Sequence, residues 1–188
     1  MSNLNNSNIL ILATNGFQED ELFEPLSYFR DRDATVHLAS PELNEISAGE
    51  GDDRRIKPDL KLEDVNVSDY DALILPGGLV NPDTLRQNDR AISLIRDFGE
   101  QGKTIGAICH GPWLLAEAGL TKGREMTSYP SIKTDLENAG ARWTDSEVVC
   151  DNAIVTSRKP ADIPAFCNKI AEEIREGDHD REHLKRAA

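Results

Sequence analysis

Apolar residues in this chain fall into short unbroken runs separated by longer amphipathic stretches. Ile9, Leu10, Ile11 and Leu12 form the first run, within Asn8 to Ala13. A strand covered on one face alternates apolar with polar, whereas an unbroken run is covered on both, as in a parallel sheet. Tyr70 to Leu75 reads as another buried strand, Ala34 to Ser40 as a strand with His37 at its middle, and Thr104 to Ile108 as a β-prone run with small residues at Gly106 and Ala107. Between the runs the period changes to that of a helix. Gln18 to Phe29 places Leu22, Phe23, Leu26 and Phe29 on one face, Asp89 to Gln101 does so with Ile92, Ile95 and Phe98, and Ala161 to Arg175 with Ile163, Phe166, Cys167, Ile170, Ala171 and Ile174. Asn88 suits the cap of the second of these. Pro25 lies inside the first, where it cannot bond the carbonyl of Glu21, so a kink or short break is expected there.

The remaining elements are shorter. Residues 41–59 read as a loop or short β-hairpin, with the charge run from Glu50 to Arg55 in solvent. Ile132 to Ala139 reads as a helix closed by Gly140. Arg142 to Thr144, Val148 to Cys150 and Ala153 to Thr156 read as short strands, with a turn at Asp151-Asn152. His37 sits mid-strand and reads as a core or edge histidine. Strands alternating with helices predict an α/β sandwich of three layers, with a mostly parallel sheet between two layers of helices. One domain spanning 1–188 is expected, with mobile ends over residues 1–7 and 177–188.

Composition narrows the function. The 188 residues carry a net charge of −13, which leaves no electrostatic footprint for nucleic acid. No apolar run approaches the roughly 18 residues of a membrane span, and the polar start has no signal-peptide pattern, so a cytoplasmic location is expected. Three widely spaced cysteines, Cys109, Cys150 and Cys167, predict neither a disulfide framework nor a zinc site. With no Gly-x-Gly-x-x-Gly motif either, no cofactor is expected.

The chemistry concentrates where the Thr104–Ile108 strand ends. Cys109 and His110 stand at an abrupt bend, followed by Gly111 and by Pro112, which suits a first helical turn. Trp113 to Ala118 is apolar nearly all round and reads as a buried helix, ended by Gly119. A cysteine held at such a bend, facing the N–H groups of a helix start, is a candidate nucleophile with a depressed pKa. Cys150 and Cys167 read as structural. Adjacent side chains at a bend ordinarily diverge, so the His110 imidazole counts only if the turn returns it to the sulfur. The His110 backbone N–H can supply one oxyanion donor and that of Gly78, in Pro76-Gly77-Gly78, a second. Of the acidic residues opening the first helix, Glu21 is better placed than Glu19 to reach Cys109, given the expected break at Pro25.

These segments together resemble the PfpI family of intracellular cysteine proteases, in the class I glutamine-amidotransferase-like superfamily that includes the Parkinson's-linked deglycase. The resemblance is carried by Asn15 to Leu22, Leu75 to Gly78, Ala107 to Pro112, Thr127 to Ile132 and Thr156 to Asp162, in the family's order. It implies a flavodoxin-like fold, Cys109 as nucleophile, Glu21 as the carboxyl against it and His110 as the triad histidine. It implies further that an acid from a neighbouring subunit orients that histidine. That place is held here by Asp83, where the archaeal protease resembled has glutamate. Gln18 stands where glutamate is common. Self-association is implied, as a dimer or a higher oligomer.

Three functions use this thiol. A cofactor-free cysteine hydrolase of peptide or acyl bonds comes first by resemblance. A deglycase or glyoxalase acting on methylglyoxal or glycated amines is the alternative, with Glu21 moving a proton. A stress sensor that records oxidation at Cys109 is compatible with either.

Overall fold

The computed structural model describes residues 4–49 and 54–176. In chain order its elements are β1 (Asn8–Leu12), α1 (Glu19–Arg30), β2 (Thr35–Ser40), β3 (Ile46–Ser47), β4 (Arg55–Ile56), β5 (Leu60–Lys61), β6 (Ala72–Leu75), α2 (Val80–Leu85), α3 (Asp89–Glu100), β7 (Thr104–Ile108), α4 (Pro112–Glu117), β8 (Glu125–Met126), α5 (Lys133–Asn138), β9 (Arg142–Trp143), β10 (Val149–Asp151), β11 (Ile154–Ser157) and α6 (Ile163–Glu176).

Seven strands form the central sheet in the order β10-β11-β7-β6-β1-β2-β5. Every neighbouring pair is parallel except β10 with β11 at one edge. The unbroken apolar runs are explained by what covers the sheet. Ile9 and Ile11 of β1 face the side where α1 and α6 bury Leu22, Phe29, Phe166 and Ile170. Leu10 and Leu12 face the other side, against Leu85, Ile95, Phe98 and Leu114. The helices thus cover both faces of a flavodoxin-like sandwich. Among the described residues no helix is long and apolar enough to cross a membrane.

The structure corrects three local expectations. Helix α1 runs unbroken through Pro25. Proline removes only the bond that Glu21's carbonyl would accept, while Leu22, Pro25, Leu26 and Phe29 are all buried along that helix. At the amino end, Leu4 is buried in the α1 side of the core and its N–H donates to the Arg32 carbonyl at 2.9 Å, so the chain is already tied down there. Residues 1–3 and 177–188, also expected to be mobile, lie outside the described residues, as do 50–53 of the charge run. Arg54 of that run pairs with Glu19 at 2.5 Å and covers the Phe23 ring. Helix α4 buries Leu114 and Leu115 but leaves Trp113 half-buried. Helix α2, with no clear period in the sequence, forms directly after Gly78. His37 accepts or donates a 3.0 Å hydrogen bond with the Tyr70 hydroxyl, as a satisfied histidine should.

Candidate active site

Strands β1, β6 and β7 are neighbours, so the turns at their carboxyl ends meet at one edge, the place where open α/β sheets put their sites. Cys109 occupies the turn after β7 with φ +63°, a left-handed conformation rare for a residue with a side chain. Its backbone is pinned on both sides. The Cys109 N–H donates to the Ser157 carbonyl at 3.0 Å, and its carbonyl accepts from the Tyr129 N–H at 2.9 Å. The segments Thr127–Ile132 and Thr156–Asp162 thus hold the elbow through the backbone. Surrounding structure that over-determines a strained residue is a hallmark of a functional turn.

Glu21 is fully buried in the first turn of α1. Its N–H donates to the Gln18 side chain at 2.8 Å, so Gln18 caps the helix and fixes the backbone of Glu21. One carboxyl oxygen, Oε2, accepts the Gly77 N–H at 2.8 Å, and the other, Oε1, is buried without a hydrogen-bond partner of good geometry. Glu19 points elsewhere, to Arg54. Gly77 fits because it has no Cβ: one there would lie 2.6 Å from the Glu21 oxygen and 2.7 Å from the Cys109 Cβ. Gly78 takes φ +81°, and a Cβ there would meet the Gly16 carbonyl at 2.3 Å.

Burial pushes the Glu21 carboxyl up to about 7, against the opposing pull of the Gly77 N–H and the Cys109 thiol. Cys109 is only 7 % exposed. Burial, and then the charge on Glu21, push its thiol up from the ordinary value, while the N–H groups of Gly78 and His110 aimed at the sulfur pull it down. The expected depressed pKa is therefore corrected. A helix start alone does not outweigh the loss of water and a carboxylate neighbour, and the thiolate forms most readily when Glu21 is neutral.

The turn does return the imidazole of His110 to the sulfur, with Nδ1 3.2 Å from Sγ. The other nitrogen, Nε2, lies 3.0 Å from the Ser131 hydroxyl. Tyr129 stacks on the ring and Trp113 meets it edge-on, both with centroids 5.1 Å away. Burial lowers the His110 pKa. Asp83 does not join this group within the chain; it is exposed on α2. The structure brings Cys109, His110, Glu21 and Gly78 together and leaves Asp83 outside. Among the described residues no three His, Cys, Asp or Glu side chains converge to hold a metal ion.

Two residues given no role from the sequence, Asn81 and Ser131, stand at the site. Asn81 is fully buried, donates Nδ2 to the carbonyls of Pro76 and Gly77 at 3.0 and 3.1 Å, and accepts the Thr14 N–H at 2.8 Å. It clamps the turns after β1 and β6 together, which sets Gly77 against Glu21. Its place two residues after Leu79, just past the Gly77-Gly78 turn, was the available signal.

Comparison with known proteins follows the same lines. The chain is 41 % identical over 162 residues to a deglycase of Pyrococcus horikoshii, covering 86 % of this chain and 96 % of that one. It is 41 % identical over 159 residues to general stress protein 18 of Bacillus subtilis, covering 84 % and 92 %. Among solved structures, Drosophila melanogaster DJ-1beta superposes with a TM-score of 0.83 at 31 % identity, over 96 % of this chain and 94 % of that one. The DJ-1/PfpI family model matches residues 7–173, and with the fold and the elbow in agreement the chain belongs to the DJ-1/PfpI family.

Proposed function

We propose that this protein is a cofactor-free, cysteine-dependent deglycase that converts methylglyoxal, free or carried on an amine, to lactate. The observation that carries this reading is Glu21: a buried carboxyl against Cys109, raised by burial to about 7, in the range suited to moving a proton at neutral pH. The deglycase name of the Pyrococcus horikoshii relative points the same way.

The steps balance on these residues. The thiol proton passes to His110 Nδ1 and the sulfur bonds to the aldehyde carbon, whose oxygen takes that proton to give a hemithioacetal. The N–H groups of Gly78 and His110 receive the developing oxyanion. With a glycated amine, the C–S bond forms as the C–N bond breaks, and the amine leaves with the thiol proton. Ionised Glu21 then removes the hydrogen from the sulfur-bearing carbon and returns it to the neighbouring one, moving the double bond through an enediol. The product is a lactoyl thioester, which water hydrolyses to lactate and free thiol. Over the cycle one water adds to one methylglyoxal, with no net oxidation.

A peptidase reading asks more of His110. Expelling an amine from a peptide needs an imidazolium donor, whereas burial lowers the His110 pKa and its Nε2 meets a neutral hydroxyl. That reading would draw on self-association through α2, to bring Asp83 of a second copy to the ring. Exposed Leu79 and Val80 beside Asp83 on that segment are compatible with it.

Purified protein with its thiols reduced should form lactate from methylglyoxal and from a methylglyoxal-treated lysine derivative, and C109A should not. Cleavage of peptides without lactate formation would replace this reading with the peptidase one.

A further inference from the structure

The geometry points to Ser131 as the residue that orients His110: its hydroxyl accepts the Nε2 proton and so leaves Nδ1 bare towards the Cys109 sulfur. The inference rests on the proposed use of Cys109 as nucleophile and His110 as its base.

A neutral imidazole carries one proton, and the nitrogen that bears it is set by the hydrogen bond the other makes. To take the thiol proton, Nδ1 must be unprotonated, so the proton must sit on Nε2 and needs an acceptor there. The Ser131 oxygen at 3.0 Å meets that need. Among the described residues no carboxylate hydrogen-bonds to the ring, which is the usual arrangement of a catalytic triad.

The placement of Ser131 follows from the backbone. The Tyr129 N–H bonds the Cys109 carbonyl, and a single 3-10 turn starts at Pro130, so the residue after the proline is carried to the ring in register with the elbow. The ring has little freedom to leave. Tyr129 stacks on it and Trp113 abuts it, and Trp113 is itself held by a 2.8 Å hydrogen bond from its indole N–H to Asp135.

A hydroxyl and a carboxylate at this position do different work. A carboxylate would orient the ring and also stabilise its charged form, raising its pKa. A hydroxyl orients without adding charge. His110 then relays the thiol proton to the substrate oxygen and does not store it, while the carbon-bound hydrogen is carried by Glu21. The division suits addition to free methylglyoxal, in which no amine has to be expelled.

The test reads the imidazole and the thiol directly. In 15N-labelled protein, His110 should be the Nε2–H tautomer at neutral pH. S131A should move it towards a mixture of tautomers and slow iodoacetamide alkylation of Cys109 about fivefold, the size of one net neutral hydrogen bond. S131T, which keeps the hydroxyl, should restore both. S131D should raise the His110 pKa and shift the alkylation pH profile with it. The inference is overturned if S131A leaves tautomer and pH profile as they were, or if D83N, rather than S131A, changes them. Neither readout needs an aldehyde. Absence of lactate formation would therefore strike the deglycase reading while these measurements still judged Ser131.

Discussion

Cys109 and Cys150 are the instructive pair in this molecule. Both thiols are pushed up by burial and further by a carboxylate, Glu21 in one case and Glu173 in the other. Both lie on segments bordering the same sheet. The difference is in what surrounds each pair. Glu173 is bound 3.2 Å from Lys169, so it has a local counter-ion. Among the described residues no cation pairs with buried Glu21, and burial raises its carboxyl to about 7. Cys150 stands in a regular antiparallel pairing opposite Val155. Cys109 stands in a left-handed turn with two N–H groups and an imidazole directed at its sulfur. A cysteine beside a carboxylate is thus not a site. The neutralisable acid and the converging donors make one.

The comparison breaks most sharply at the sulfur. C109A should lower lactate formation from methylglyoxal by about a thousandfold or more, as loss of a covalent nucleophile does, while C150A should leave it unchanged. Equal losses in steady-state assays would show that the two cysteines are not distinguished by their surroundings. E21Q should cost about 10²- to 10⁴-fold in turnover, the worth of a positioned proton shuttle.

The same variant sharpens the contrast through stability. An acid whose folded pKa is raised stabilises the fold fully below its unfolded value, here 4.5, and loses that contribution as pH rises through about 7. Wild-type protein should therefore lose about 3 kcal/mol of stability across that window from Glu21. E21Q cannot ionise, so its urea-unfolding curves should change less between pH 4.5 and 8. N81A should destabilise by about 1–3 kcal/mol, because it leaves the part-buried N–H of Thr14 and the carbonyls of Pro76 and Gly77 without their partner. Chemical denaturation at pH 5, where Glu21 is neutral in the fold, isolates that effect. The smallest expected change is at Cys150. E173Q should alter its alkylation rate a few-fold without changing lactate formation, read by mass spectrometry of the labelled peptides.

Much of the architecture was legible in the chain. The runs at Ile9, Ala72 and Thr104 lie in strands covered on both faces, and the amphipathic faces of α1, α3 and α6 are the ones buried. Their legibility has a simple cause: burial is periodic, and period is a property of the sequence. Helix α2 and strands β5 and β8 were not legible, because Val80–Leu85 carries polar residues and a proline with no apolar period, and two residues have no period at all. Pro25 misled because its local cost is read from sequence, whereas the buried surface that offsets it belongs to the assembled core.

The sequence by itself determined the order of the strands and helices, the turn at Cys109 and the glycines of the Gly77-Gly78 turn. It did so because backbone conformation at a turn depends on the residues in it. Tertiary structure alone decided which groups meet at the sulfur. Glu21 arrives from β1, Gly78 from β6 and Ser131 from beyond α4, and their proximity exists only because β1, β6 and β7 are neighbours in the sheet. The titration of Glu21 and Cys109 belongs to that level too. Desolvation is the largest cause for each, and desolvation depends on what packs around a group, not on which residues flank it.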